Sequence, residues 1–363
     1  MILRVGLIVI LLGALAIMAG VRYALTALVG LGIGFILERF GFGFAGPWRR
    51  LIRERQGQGV LAQCVAIGLT AIIIQPLIAQ SSSLIGAIAP VSVTMILGAL
   101  IFGFAMQLIL GCGSGTLVNA GSGNLIALVA LPAFCVGSFL GTLILPLAII
   151  NTTHITVSLP ETFGVAPSLV ITVVGLIGLA AWATRGQGTA RWNKQLLIAA
   201  VCVAVLASLH VVIAGQPWGV VYGLGLWAAK FATGLGWDPS TADFWIHPIN
   251  AQALSQSVLT DTTSLTDFGL IAGAALAAWK GAEQTALRPS VQWWFYGAIL
   301  AAGLALGISS RLAFGCNVGA LFSGIASGSL HGWIWLIAAF IGSIGGVSAR
   351  DWLWQRAVPK GII

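Results

Sequence analysis

The side chains best suited to nucleophilic, redox or metal chemistry in this 363-residue chain are five cysteines and four histidines. Their spacing excludes most of that chemistry. No two cysteines form a Cys-x-x-Cys pair, the histidines are scattered, and an odd number of cysteines builds no simple disulfide framework. No metal or other cofactor is expected, so any special cysteine must act as a thiol. Two stand apart: Cys112 lies in Gly111-Cys112-Gly113-Ser114-Gly115 and Cys316 in Gly315-Cys316-Asn317-Val318-Gly319, each at the end of an apolar run. Glycine interrupts a helix and lets backbone approach a ligand closely. The stretches that follow, 113–121 and 317–326, are too short to span a bilayer but long enough for half-helices, whose N-terminal N–H groups favour an anion. Sulfur is polarisable and its S–H is a weak donor. A thiolate would repel an anion, so both cysteines are expected to work protonated. Cys64, Cys135 and Cys202 sit in plain apolar segments and are read as small inert hydrophobes, the ordinary role of a buried cysteine.

Around the two breaks, Arg311 precedes Cys316 by five residues, where the first copy has Gln107. An intramembrane arginine is costly and by default a functional candidate. It could attract an anion or cap a broken helix, or it could snorkel to an interface and set helix depth. Ser114, Asn119 and Asn317 offer neutral hydrogen bonds, although such residues are also ordinary beside glycine. His331, next to Gly332-Trp333, reads as an interfacial residue in preference to a proton relay.

The elements that must hold these residues are membrane helices. Hydrophobic residues make up 58% of the chain and charged ones 7%, far below the quarter or so that soluble domains carry. Apolar segments near 5–20, 22–37, 60–79, 92–110, 125–149, 168–183, 196–214, 268–279, 292–310 and 331–349 meet or approach the roughly 20 residues a spanning helix needs. About nine to eleven spans are expected. The runs are continuous and do not alternate, so an all-α bundle is expected and not a β-barrel. Residues 1–20 suit an additional N-terminal transmembrane helix better than a cleaved signal peptide, because the segments that follow can direct insertion unaided. Residues 215–266, with Trp218, Trp227, Trp237 and Trp245 beside Asp238, Asp243 and Asp261, suggest short or tilted interfacial helices.

Self-similarity organises the segments. Leu100–Cys112 (LIFGFAMQLILGC) matches Leu304–Cys316 (LALGISSRLAFGC) without a gap, placing Gly103 over Gly307 and Gly111-Cys112 over Gly315-Cys316. Further on, Gly115 falls over Gly319, Gly123 over Gly328 and Gly137-Ser138 over Gly342-Ser343, and a fainter echo relates Gly30 and Gly34 to Gly269 and Gly273. Charge orients the copies, since cytoplasmic loops are enriched in Lys and Arg. Residues 80–91 and 150–167 around the first copy contain neither, whereas Lys280, Arg288, Arg350, Arg356 and Lys360 flank the second. Arg39, Arg49, Arg50, Arg53 and Arg55, and later Arg185, Arg191 and Lys194, fit cytoplasmic loops in the same scheme. The net charge of +8 is thus a topology signal, and no nucleic-acid partner is expected. The expected fold is a polytopic bundle of two inverted-topology repeats with paired re-entrant glycine-cysteine loops: an extra helix at 1–21, a first repeat at 22–194 and a second at 195–363. Such repeats place a transporter's site near the midplane, at half-helices. An old duplication that only stabilises a bundle would leave the same trace.

The motifs GCGSGTLVNAGSGNLIAL and RLAFGCNVGALFSGIASGSLHGW resemble those of the YeeE/YedE family of sulfur-transport membrane proteins, with similarity spread over residues 22–350. The resemblance implies an hourglass-shaped helical protein of the bacterial inner (plasma) membrane that takes up thiosulfate, passing it along membrane-embedded cysteines by weak S–H hydrogen bonds. By motif, Cys112 and Cys316 are the two loop cysteines of that path, and Gly111, Gly113, Ser114, Gly115, Arg311, Gly315, Asn317 and Gly319 complete the expected substrate-binding set. A third family cysteine follows the first core helix, where GFILERFGFGFAG has Gly43. Its absence keeps a related sulfur or selenium species open as the substrate. A small cytosolic sulfur-carrier protein of the TusA-like type is an implied partner. The rivals are a membrane thiol-disulfide oxidoreductase, which would want a reactive Cys-x-x-Cys pair absent from the sequence, and a structural subunit. No enzymatic activity is expected.

Overall fold

A computed structural model describes residues 2–150, 152–188, 192–278 and 291–357. Arg191, Lys280, Arg288 and Lys360, used above to orient the chain, lie outside the described residues, as does the side chain of Arg4. Among the described residues, eight helical stretches are long and apolar enough to cross a bilayer, and Gly6–Met18 forms a shorter apolar helix. The protein is therefore a multi-pass helical bundle. The expected nine to eleven spans come down to eight because two of the ten segments fall short: 5–20 gives the shorter helix Gly6–Met18, and 268–279 falls in a helix of 16 residues, about 24 Å long and below the bilayer's hydrocarbon thickness.

In chain order, α1 (Ile2–Met18) packs on α2 (Val21–Phe40); α3 (Ala45–Glu54) carries the arginines; α4 (Gln58–Gln80) returns across the bundle. Next, β1 (Pro90–Ser92) leads into α5 (Val93–Leu108), whose N-cap Ser92 Oγ accepts from Met95 N–H at 3.1 Å. A break follows, then α6 (Gly113–Gly121) and α7 (Leu125–Ile150). A second strand β2 (His154–Thr156) pairs antiparallel with β1, after which come α8 (Leu159–Phe163), α9 (Val165–Ala183) and α10 (Lys194–Ala214). The less apolar region forms α11 (Val221–Gly234), α12 (Asp243–Ile246) and α13 (Pro248–Ser255), and α14 (Thr262–Ala277) follows, its N-cap Asp261 accepting from Ser264 N–H at 2.7 Å. The chain closes with α15 (Trp293–Leu312), a second break, a π-helical stretch Asn317–Ser323 running into α16 (Gly324–Ala326), and α17 (Leu330–Ala357).

The interfacial region is short-helical as expected, with one correction. Trp218 and Trp245 are 1% and 0% exposed and belong to the core, not to an interface. Trp245 Nε1 donates to Thr142 Oγ1 at 2.9 Å, which supplies the partner a buried indole N–H needs.

Glycines set the packing. A Cβ on Gly103 would strike the Ala339 carbonyl of α17 and one on Gly342 the Leu100 carbonyl of α5, so α5 and α17 touch backbone to backbone. The equivalent glycines of the other pair do the same: Gly137 of α7 lies against Leu304 and Gly307 of α15 against Phe134 and Ser138. On the α2–α14 pair, Gly30 and Gly34 press on Thr266 and Leu270, while Gly269 and Gly273 press back on Ala27 and Leu31. Small residues at crossings let van der Waals packing replace the hydrophobic drive that lipid cannot supply. In all three pairs, a helix before residue 195 packs on one after it.

Arg49, Arg50 and Arg53 of α3 gather with Arg350 and Asp351 of α17 at one end, where Arg53 pairs with Asp351 at 3.2 Å, whereas Arg22 lies toward the other end and donates to the Ile213 and Ala214 carbonyls. The β1–β2 ribbon and the loop before it, which carry no Lys or Arg, close the other end.

Candidate functional site

The two breaks share one backbone design. Each preceding helix ends in a residue with positive φ, Leu110 at 60° and Phe314 at 56°, at the same distance before its cysteine. Gly111 N–H then donates to the Met106 carbonyl at 3.2 Å and Gly315 N–H to Ser310 at 2.8 Å, the six-to-one bond of a Schellman termination. Gly315 needs to be glycine: its φ is 147°, and a Cβ there would lie 2.6 Å from Ala320 N. Each cysteine is extended and opens the next helical piece, with Thr116 N–H bonding the Cys112 carbonyl and Ala320 N–H the Cys316 carbonyl, both at 2.8 Å. The sulfurs sit over these N-termini. Cys112 Sγ is 3.5 Å from Ser114 Oγ, and Cys316 Sγ accepts from Val318 N–H at 3.4 Å.

The breaks also meet. A Cβ built on Gly113, the residue after Cys112, would lie 2.9 Å from Cys316 Sγ and 3.3 Å from Val220 Cγ1. Both cysteines are buried, and all five in the chain are unbridged.

A cavity reaches the paired loops from each end of the bundle. From the end closed by the β1–β2 ribbon, a vestibule of about 670 Å³ is walled by Ala87–Ala89, Leu145, Tyr222, Asp243, Phe244 and Asn250 and floored by Arg311, Gly315, Cys316 and Gly319. From the arginine-rich end, a smaller cavity of about 170 Å³ is bounded by Glu38, the 41–47 loop and Arg50, and ends at Gly111, Cys112, Ser114, Gly115 and Asn119. The 41–47 loop is fixed from above. Gln63 Nε2 donates to the Gly43 carbonyl at 2.8 Å, Trp48 Nε1 to Gln63 Oε1 at 3.1 Å, and Gln107 Nε2 to the Ala45 carbonyl at 3.3 Å. Gly43 lines this inner cavity, and a side chain there would meet nothing within 4 Å of its Cβ.

Arg311 does not snorkel. Its guanidinium lies over the rings of Tyr222 and Phe244, with centroids at 5.5 and 5.0 Å, and its Nε and Nη2 are buried without a hydrogen-bond partner. Space for the stem comes from Gly141, whose Cβ would fall 2.8 Å from Arg311 Cβ. A buried guanidinium with open donors, and with no carboxylate within salt-bridge distance among the described residues, has the donor geometry to hold an anion. Asn317 is fully buried with both amide atoms unpartnered, which offers a donor and an acceptor at the second break. Asn119 turns back on its own loop, donating to the Leu110 carbonyl at 3.4 Å. Cys64 is buried in the α4 helix, while Cys135 on α7 and Cys202 on α10 are partly buried in theirs.

His331 departs from its sequence reading. It is 1% exposed, not interfacial; Nδ1 is 2.8 Å from Ser329 Oγ, Nε2 is unpartnered, and the residue lines the vestibule. Its place follows from Gly324, where a Cβ would lie 2.8 Å from the imidazole. Sequence reading also missed Asp267, buried at 0% exposure in α14 with both carboxylate oxygens unpartnered. The signal was available as an acid inside an otherwise uncharged helical run.

Comparison with known proteins gives this geometry a family. A family profile described as sulphur transport matches residues 39–345. The thiosulfate transporter TsuA of Spirochaeta thermophila is 27% identical over 267 residues, covering 68% of this chain and 74% of that protein. The probable transporter YedE of Escherichia coli K12 is 31% identical over 149 residues, and that of Salmonella typhimurium 28% over 148, each match covering 40% of this chain but 35% of the relative. With both cysteine loops and most of the bundle inside the matched region, the chain belongs to the sulphur-transport family.

Proposed function

We propose that the protein carries a small sulfur-containing anion, thiosulfate in the first instance, across a bacterial inner membrane from the vestibule, past Cys316 and then Cys112, into the arginine-edged cavity. The observation that carries this reading is the contact of Cys316 Sγ with Gly113, which joins two thiol-bearing loops between cavities entered from opposite ends. Arg311 draws the anion to the vestibule floor, and the half-helix N-termini with Asn317 and Ser114 replace part of its hydration. Neutral thiols then donate weak S–H hydrogen bonds in sequence, strong enough to strip water and weak enough to let go. TsuA's name supplies the thiosulfate assignment.

The same reading treats residues 22–194 and 195–363 as inverted repeats and both breaks as re-entrant. Support comes from the shared backbone of the two terminations and from the reciprocal glycine crossings. The positive-inside rule supports an inner cavity that opens toward the cytoplasm, where a TusA-like carrier would collect the anion beside Arg50.

The test is uptake of labelled thiosulfate into proteoliposomes by the wild type, Cys112→Ala and Cys316→Ala at matched protein levels. Saturable uptake lost in either variant is expected. Uptake that survives both substitutions would sink the thiol path. The proximity of the two loops also admits a thiol-disulfide oxidoreductase, which would show a trapped mixed disulfide and a change in redox state on turnover.

A further inference from the structure

We propose that Asp267 is a proton-binding site linked to occupancy of the Cys316 loop, so that the anion moves together with a proton; this rests on the transport reading above. The carboxyl is fully buried, and among the described residues neither oxygen has a hydrogen-bond partner or a cation within salt-bridge distance. An isolated carboxylate in such a place is far too costly, so the group holds a proton. It is joined to the Cys316 loop through the start of α11: a Cβ on Gly113 would touch both Cys316 Sγ and Val220 Cγ1, and three residues beyond Val220 a Cβ on Gly223 would lie 2.7 Å from Asp267 Oδ2.

Among the described residues, its surroundings supply no alternative neutraliser. Against α14, α2 presents Ala27, Gly30 and Leu31, and α6 presents Gly121, none of which titrates. On α10, His210 is engaged between the Gln216 carbonyl at 3.1 Å and Thr266 Oγ1 at 2.9 Å. On α11, the Lys230 ammonium is spent on the Leu254 and Gln256 carbonyls and the Tyr222 hydroxyl on Asn250. Cys135 of α7 and Asp261 at the start of α14 are within electrostatic reach, and both add only negative charge when ionised. Arg311 is held apart by α11 itself. Asp267 Oδ2 would lie 2.7 Å from a Cβ on Gly223, Arg311 Nη2 3.5 Å from one on Gly225, and positions two apart on a helix point in nearly opposite directions.

One turn of α11 separates the carboxyl from the vestibule. Val221 and Tyr222 line the vestibule, and Gly223, with no side chain, covers the carboxyl. An anion seated at Cys316 favours the neutral acid, and by reciprocity the protonated acid favours the anion. Once Asp267 loses its proton, anion affinity falls by about tenfold per pH unit, the slope set by one linked proton.

The experiment uses proteoliposomes that hold a trapped pH-sensitive dye and receive labelled thiosulfate. The wild type is expected to acidify the lumen during uptake and to be stimulated by an inward-directed proton gradient. In Asp267→Asn, a neutral mimic of the protonated acid, uptake should proceed without acidification and anion binding should no longer weaken as pH rises. Wild-type uptake without proton movement overturns the proposal whatever the variant does, as does acidification that persists in Asp267→Asn. Such a result leaves the transport reading standing, whereas no thiosulfate uptake by the wild type removes both.

Discussion

Gly113→Ala tests the contact between the loops most directly. The added methyl would sit 2.9 Å from Cys316 Sγ and 3.3 Å from both Cys316 Cβ and Val220 Cγ1. Non-bonded heavy atoms rest at about 3.5–4.0 Å, so α6 and the Cys316 loop must separate by roughly 0.6–1 Å. Neither side can yield locally. Cys316 caps its own helix through Val318 and Ala320, and Val220 is buried. Overpacking of this kind costs about 1–3 kcal/mol, which a large bundle survives, but a path that depends on handing an anion between two thiols should not tolerate the shift. By analogy with misplaced reacting groups, a roughly ten- to hundred-fold loss of uptake is expected. Gly115→Ala is the matched control, because its methyl would be 3.7 Å from Cys112 Sγ, ordinary contact. Initial rates in proteoliposomes, with thermal unfolding measured in parallel, decide the matter. If folded Gly113→Ala transports like the wild type, or if Gly115→Ala loses as much, the reasoning from loop contact is wrong.

Arg311→Gln removes the unpartnered guanidinium while keeping hydrogen-bonding capacity. The half-saturating thiosulfate concentration should rise roughly ten- to hundred-fold, the equivalent of a charge-assisted bond of about 1.5–3 kcal/mol; an unchanged value would remove Arg311 from the path. Gly43→Cys places a thiol in the open inner cavity, and a membrane-impermeant thiol reagent should modify it, and block uptake, only from the arginine-rich side. Labelling from the opposite side would invert the assigned topology. Gly103→Ala should lower the unfolding temperature sharply by driving a methyl into the Ala339 carbonyl, whereas Gly178→Ala, with nothing within 4 Å, should be neutral or up to about 1 kcal/mol stabilising.

The breaks are legible in the sequence because glycine and cysteine recur at one spacing, and the half-helices at 113–121 and 317–326 follow from length alone. The glycine matches carry more than self-similarity suggests. Gly103 aligns with Gly307 and Gly137 with Gly342, yet the contacts pair Gly103 with α17 and Gly307 with α7. An alignment of similar segments cannot show that each packs against a helix from the other part of the chain, since that is a property of assembly and not of either segment. Trp218, Trp245 and His331 mislead for a related reason. Amphipathic residues usually mark an interface, and here tertiary packing found each a buried place. Arg311 kept three readings open in sequence because its depth depends on Tyr222 and Phe244, roughly 70–90 residues away in the chain.

The reciprocal crossings also constrain how the chain is made. The grooves left by Gly103 on α5, by Gly137 on α7 and by Gly30 and Gly34 on α2 are filled by helices that are synthesised last. While the ribosome is still adding the second half, the Cys112 loop waits in the bilayer without Cys316 or Val220 to rest against. Each of the three crossings can therefore close only after the later helix of its pair has been inserted. A nascent chain stopped before Leu330 is accordingly the form most exposed to membrane quality control.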